Sequence, residues 1–172
     1  MENERDHSKF IIQRFDTYIA GANTKGNFLL AINTFLIGVI VTNYTKILTL
    51  IHGSNINTYF NVGIVLLVLL CLVATFYILK SVYPFLTSGN SSKDSYHSHI
   101  FFNSIAEFKD ANDYRTSFVK QSNFNVEEDM SIQAYQLAVG LKSKYKNLET
   151  SIKFIYAEIV LIIILLMLII IF

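Results

Sequence analysis

The sequence predicts an all-α integral membrane protein with three transmembrane helices and a small cytosolic helical bundle. Its last helix is expected to continue from the cytosol into the membrane. Three observations predict this. The 172 residues are 52% hydrophobic and only 16% charged, too apolar for an ordinary water-soluble domain. Residues 26–45, 60–79 and 154–172 form three apolar runs, and Glu158 is the single charge within them. Nineteen helical residues at about 1.5 Å each span roughly 28 Å, close to the hydrocarbon core of a bilayer. Finally, residues 125–172 contain no proline and one glycine, Gly140, so one helix can run through a polar half and an apolar half.

Residues 1–25 read as a charged, amphipathic lead-in, with Phe10, Ile11, Phe15 and Tyr18 at roughly helical spacing. They carry charges throughout and lack the apolar core of a cleavable signal peptide. The first span, 26–45, is the least apolar. Asn23, Asn27, Ala31, Thr34, Gly38 and Thr42 recur at steps of three and four, a polar and small-residue stripe suited to close helix packing or to a wet lumen. Lys25 opens this span. Residues 46–59 form a short external loop, and 60–79 the second span. Residues 80–153 are the predicted cytosolic domain, entered past Pro84 and a flexible stretch at 87–95. Its apolar residues include Ile100, Phe101, Phe102, Ile105, Phe108, Tyr114, Phe118 and Val119, enough for short packed helices. Asn125 is a candidate N-cap, followed by Glu127 and Glu128 where the helix dipole favours acid. A stripe of Met130, Ala134, Leu137, Leu141, Tyr145, Leu148, Ile152 and Ile155 carries the last helix toward the third span, 154–172.

Lysine and arginine set the expected orientation. Four precede the first span, one (Lys46) lies between the first two, and nine lie between the second and third. The positive-inside bias puts the N-terminus and the middle domain in the cytoplasm.

Several chemistries are not predicted. The net charge of +1 gives no bulk attraction for a nucleic acid polymer. Cys71 is alone, so one chain can build neither a disulfide framework nor a thiolate metal site. No phosphate-cradling glycine loop, GxSxG or HExxH is present, and no enzyme activity or cofactor is expected. His97-Ser98-His99 is the only paired histidine set, and on a helix its two rings would diverge. Glu158 is the group that needs an account. It is either paired with Lys25, at similar expected depth, or part of a gate or pore mouth.

Three stretches in order resemble one family. The first is YIAGANTKGNFLLAINTFLIGVI, residues 18–40, similar to a D-x-K-A-N-x-(hydrophobic)-L run, with Asn23 in place of the acid and Gly26 in place of the alanine. The second is Phe101-Phe102-Asn103 followed by an acidic-aromatic stretch from Glu107 to Tyr114. The third sets Asp129, Gln133, Leu137, Lys144, Tyr145 and Leu148 ahead of the last span. Together these resemble the bacterial Pycsar-type membrane effectors of anti-phage defence.

That resemblance implies an inner-membrane protein that senses a cyclic pyrimidine mononucleotide, cUMP or cCMP, and damages the membrane of the infected cell. Three spans in one subunit enclose no lumen, so a homo-oligomer in the lipid bilayer is expected. An anionic cyclic phosphate needs cationic donors and a surface for its base. Lys109, Arg115 and Lys120 are the candidate donors, with Phe101, Phe102 and Tyr114 nearby in sequence. Asn23, Lys25, Asn27, Thr34, Gly38 and Glu158 are the candidate membrane or gating residues. Two other readings fit the composition: a membrane scaffold that binds a protein partner, and a constitutive small channel.

Overall fold

The structure, a computed structural model, describes residues 2–49, 54–84, 97–120 and 126–171. These form five helices and no strand: α1 (Glu2–Leu48), α2 (Ser54–Val82), α3 (Phe102–Ala106), α4 (Ala111–Lys120) and α5 (Val126–Ile171). Three of them, α1, α2 and α5, are long and apolar enough to cross a membrane. A helix satisfies its own backbone polar groups, which is what lets a chain cross a solvent that offers no hydrogen bonds.

The helices run further than the apolar runs alone suggest. Residues 2–25 and the first span share one helix, α1, which is unbroken past residue 25. The connection expected at 46–59 is shorter, because α1 continues to Leu48 and α2 begins at Ser54. Lys46 and Leu48 are good helix formers among weaker neighbours, no proline or glycine interrupts 43–49, and Thr49 N–H still bonds the Thr45 carbonyl at 3.3 Å. Helix α5 is continuous through residues 142–154, where its polar half meets its apolar half. The predicted N-cap Asn125 and the flexible stretch 87–95 lie outside the described residues.

Contacts divide the chain into two units. One is Met1–Ala20 with Pro84–Ser143; the other, the membrane unit, is Gly21–Tyr83 with Lys144–Phe172.

The membrane unit is an up-down-up arrangement. Along α1 and α2 the contacts run in opposite order: Gly26 meets Val82, Asn33 meets Cys71 and Thr75, and Tyr44 meets Asn61. Along α2 and α5 they do the same. Lys144 meets Ser81, Phe154 stacks on Tyr77, and Leu165 meets Gly63. Two glycines allow the closest approaches. A Cβ on Gly26 would lie 2.5 Å from Val82 Cγ2, and one on Gly63 would lie 2.6 Å from Leu165 Cδ2. Between helices in lipid, such close packing replaces the hydrophobic drive that operates in water. A core of Phe60, Leu67, Cys71 and Leu165 fills the interior, while Phe28, Phe35, Leu72, Phe76 and Ile164 point outward. Large apolar side chains exposed on three long helices are what a lipid-facing surface requires.

The other unit is built from turns and short helices. Asp110 starts α4, its carboxylate accepting the Asp113 N–H at 2.8 Å, and Asp113 in return accepts the Lys109 N–H at 3.3 Å. This is a reciprocal cap close to the capping box. In the first turn of α5, Asp129 is buried and holds the preceding segment. Ser98 Oγ donates to it at 2.8 Å and the His99 N–H at 3.0 Å. Ser98 Oγ also accepts the N–H groups of Ile100 and Phe101, turning the chain into α3. His97 and His99 therefore sit on a bend rather than a helix, and their rings are 6.4 Å apart in an edge arrangement. Among the described residues no cluster of His, Cys, Asp and Glu could hold a metal ion.

Candidate functional site

Among the described residues, those named for a ligand occupy different settings. Tyr114 is part of an aromatic cluster with His99, Phe108 and Phe118, and its hydroxyl donates to the His99 carbonyl at 2.9 Å. His99 Nε2 lies 3.1 Å from Ser117 Oγ, which ties the cluster to α4. Tyr114 thus works as packing and as a turn fastener. Arg115, the next residue on α4, is rotated about 100° from it. Arg115 is exposed and shares a shallow open depression with Asn112, Thr116 and Val119. Lys109 is exposed before the α4 cap. Phe101 and Phe102 pack on each other at 4.9 Å, and Phe102 is exposed. Lys120 is the last residue of α4, and its side chain is outside what the structure describes. Arg115 lines an open depression, and Lys109 and Phe102 are exposed.

The membrane unit holds a polar seam that sequence spacing did not single out. Every seventh residue of α5 from Lys144 is buried: Lys144, Ser151, Glu158 and Leu165. A seven-residue repeat keeps one face of a helix turned toward its neighbours. Here three of its four positions are polar. On α1 the buried positions are Ala22, Gly26 and Asn33, followed by partly buried Ile37 and Ile40. The stripe read from the sequence lies about one residue round from this face. Asn27, Thr34 and Gly38 are exposed, and Asn23 is half-buried. Both stripes have steps of three and four, so spacing alone did not choose between them.

Asn33 is the deep polar link between α1 and α2. Its Nδ2 donates to the Cys71 carbonyl at 2.9 Å and to Thr75 Oγ1 at 3.0 Å, while its own Oδ1 is buried and accepts no hydrogen bond from the described residues. Beside Cys71 from the other direction is Glu158, fully buried, with the thiol as its polar neighbour. A thiol is a weak donor, and neither carboxyl oxygen receives an N–H or O–H bond from the described residues.

The expected Lys25–Glu158 pair does not form. Glu158 packs level with Cys71, near the middle of the apolar run 60–79, not at its edge. Lys25 is exposed and lies eight residues before Asn33, roughly 12 Å further along α1. Depth in the bundle is set by what α5 packs against, not by where its own apolar run begins.

The buried cation is Lys144 instead. Its Nζ donates to Asn23 Oδ1 at 3.1 Å and to the carbonyls of Ser81 at 2.8 Å and Tyr83 at 2.9 Å, with Val82 at 3.3 Å. Helix α2 ends at Val82, so these carbonyls are among the last ones left without an intrahelical partner. The ammonium caps the negative end of the α2 dipole from a different helix. Lys142, Lys146 and Lys153 on the same helix are exposed; sequence position alone groups Lys144 with them, and its burial is what sets it apart. A hint was present in sequence: Lys144 and Glu158 are fourteen residues apart, two heptads, with Ser151 midway.

No curated protein and no solved structure matches the chain. The family model described as the Pycsar effector protein domain matches residues 7–171, a range that takes in all three membrane-compatible helices, the Asp129-anchored unit and the Lys144–Glu158 seam. With three helices fit to cross a bilayer and a family match over nearly its whole length, the chain belongs to the Pycsar effector family of anti-phage membrane proteins.

Proposed function

We propose that this protein is a cyclic-nucleotide-activated effector that assembles as a homo-oligomer in the inner membrane and breaches it. Cyclic UMP or cyclic CMP, made during infection, is the trigger, and loss of the membrane barrier stops the infected cell before phage release. The family match over residues 7–171 carries this reading. The N-terminus and the Asp129-anchored unit face the cytoplasm, in line with the lysine and arginine bias.

Three features of the chain support the mechanism. Helix α5 is unbroken from Val126 to Ile171, so a ligand acting on its first half has a continuous element to act through. Asn27, Thr34 and Thr42 are exposed on an outward face of α1 at membrane depth, and polar groups there are better placed against another helix than against lipid. Arg115 on its open depression can meet an anionic phosphate, with Lys109 near the start of the same helix. A switch from about 1:99 to 99:1 needs roughly 5.5 kcal/mol of differential binding, which ligand contacts shared between subunits can supply.

Dye release from vesicles tests this. Purified protein in liposomes is expected to release carboxyfluorescein only when cUMP or cCMP is added. Release without any nucleotide indicates the constitutive channel, and no release under any cyclic nucleotide indicates the scaffold. Thermal stabilisation against a panel of cyclic mono- and dinucleotides identifies the trigger.

A further inference from the structure

We propose that Lys144 is a latch that holds the three membrane helices in their closed arrangement, and that activation withdraws its ammonium from the end of α2. This inference deepens the gating reading above and rests on it.

The geometry is specific. One ammonium from α5 joins Asn23 of α1 to the carbonyls of Ser81, Val82 and Tyr83 at the end of α2. Its four partners among the described residues are all neutral oxygens, so within these residues the buried positive charge is met by dipoles. A carboxylate at this point would lock the helices more firmly, and Asn23 is an amide.

Its place in the chain is equally specific. The membrane unit begins at Gly21 on α1, ends its second pass at Tyr83, and resumes at Lys144. The latch residues 23, 81–83 and 144 lie within two residues of where the unit begins on α1, ends its second pass and resumes on α5.

The interior below the latch favours release once it opens. Ser81 Oγ, Asn33 Oδ1 and both Glu158 oxygens are buried and have no N–H or O–H hydrogen-bond partner among the described residues. Closed packing offers these atoms no N–H or O–H partner among the described residues; separated helices admit water or a second subunit to them.

The test uses the full chain in phosphatidylethanolamine–phosphatidylglycerol vesicles loaded with carboxyfluorescein. Lys144→Met keeps the length and removes the charge; it is expected to release dye with no nucleotide present. Asn23→Asp adds a counter-charge; it is expected to raise the cUMP or cCMP concentration needed for release about tenfold, the effect of a modest gain in closed-state stability. Cys71, fully buried in the closed bundle, gives a readout independent of leakage. Its labelling by N-ethylmaleimide is expected to be faster in Lys144→Met than in the parent.

Lys144→Met vesicles as tight as the parent, with Cys71 equally protected, overturn the proposal. An unchanged nucleotide threshold in Asn23→Asp overturns it as well, and that variant decides alone if Lys144→Met loses the parent's helical circular dichroism. A parent that never leaks under any cyclic nucleotide refutes the gating reading itself. The latch is then judged by dye release and Cys71 labelling in Lys144→Met, and protection there overturns it separately.

Discussion

Replacing Gly63 by alanine sets two opposing effects against each other. An alanine Cβ at this position would lie 2.6 Å from Leu165 Cδ2, where ordinary contact begins at 3.4 Å. Leu165 must retreat by nearly 1 Å, yet it is only 5% exposed and packed with Phe60, Leu67 and Cys71. Overpacking of this kind costs about 1–3 kcal/mol. Alanine in place of glycine within a helix returns up to about 1 kcal/mol. The steric effect wins, and a net loss of about 1 kcal/mol is expected. Gly38 supplies the control. It is also within a membrane helix, but nothing lies within 4 Å of where its Cβ would be, so Gly38→Ala keeps the propensity gain without the clash. Reversible unfolding in mixed detergent micelles, followed by far-UV circular dichroism, should place the two variants about 2 kcal/mol apart and on opposite sides of the parent. Adding Leu165→Val to Gly63→Ala should recover part of the loss. If Gly63→Ala proves as stable as Gly38→Ala, the close α2–α5 approach is wrong.

Other expectations concern the polar contacts. A double-mutant cycle of Asn33→Ala with Thr75→Val should give a coupling of about 0.6–1.7 kcal/mol, the range of interhelical hydrogen bonds in lipid; zero coupling removes the Asn33–Thr75 bond. The swap of Glu158→Lys with Lys25→Glu should be no better than the single changes added together, within about 0.5 kcal/mol, since the two sites share no contact. Rescue by the swap would restore the ion pair that the structure lacks. Asp129→Ala should cost about 2–4 kcal/mol by removing the acceptor of two charge-assisted bonds, and hydrogen exchange should rise first at residues 97–101. Unchanged protection there would mean that Asp129 does not anchor the bend. Arg115→Ala should abolish thermal stabilisation by the activating nucleotide while Tyr114→Phe lowers only the baseline stability; equal stabilisation of Arg115→Ala and parent moves the phosphate site elsewhere.

Much of this protein is decided along one dimension. Apolar run length fixes which segments can cross a bilayer, and the absence of proline from 125–172 lets α5 continue, whatever the neighbours are. Those properties need no partner, so the all-α class and the three spans are legible in the chain itself. Rotation and register of the helices are different, because they exist only between elements. Asn33 and Thr34 are adjacent in sequence, yet one is buried against Cys71 and the other is exposed. Lys144 and Lys146 look alike in sequence, and only the end of α2 distinguishes the buried latch from the solvated charge. Glu158 lost its expected partner for the same reason: antiparallel packing sets it beside Cys71, roughly 12 Å in helix rise from the level of Lys25. Composition and periodicity placed the helices in a membrane; their packing chose which polar groups would be hidden there together.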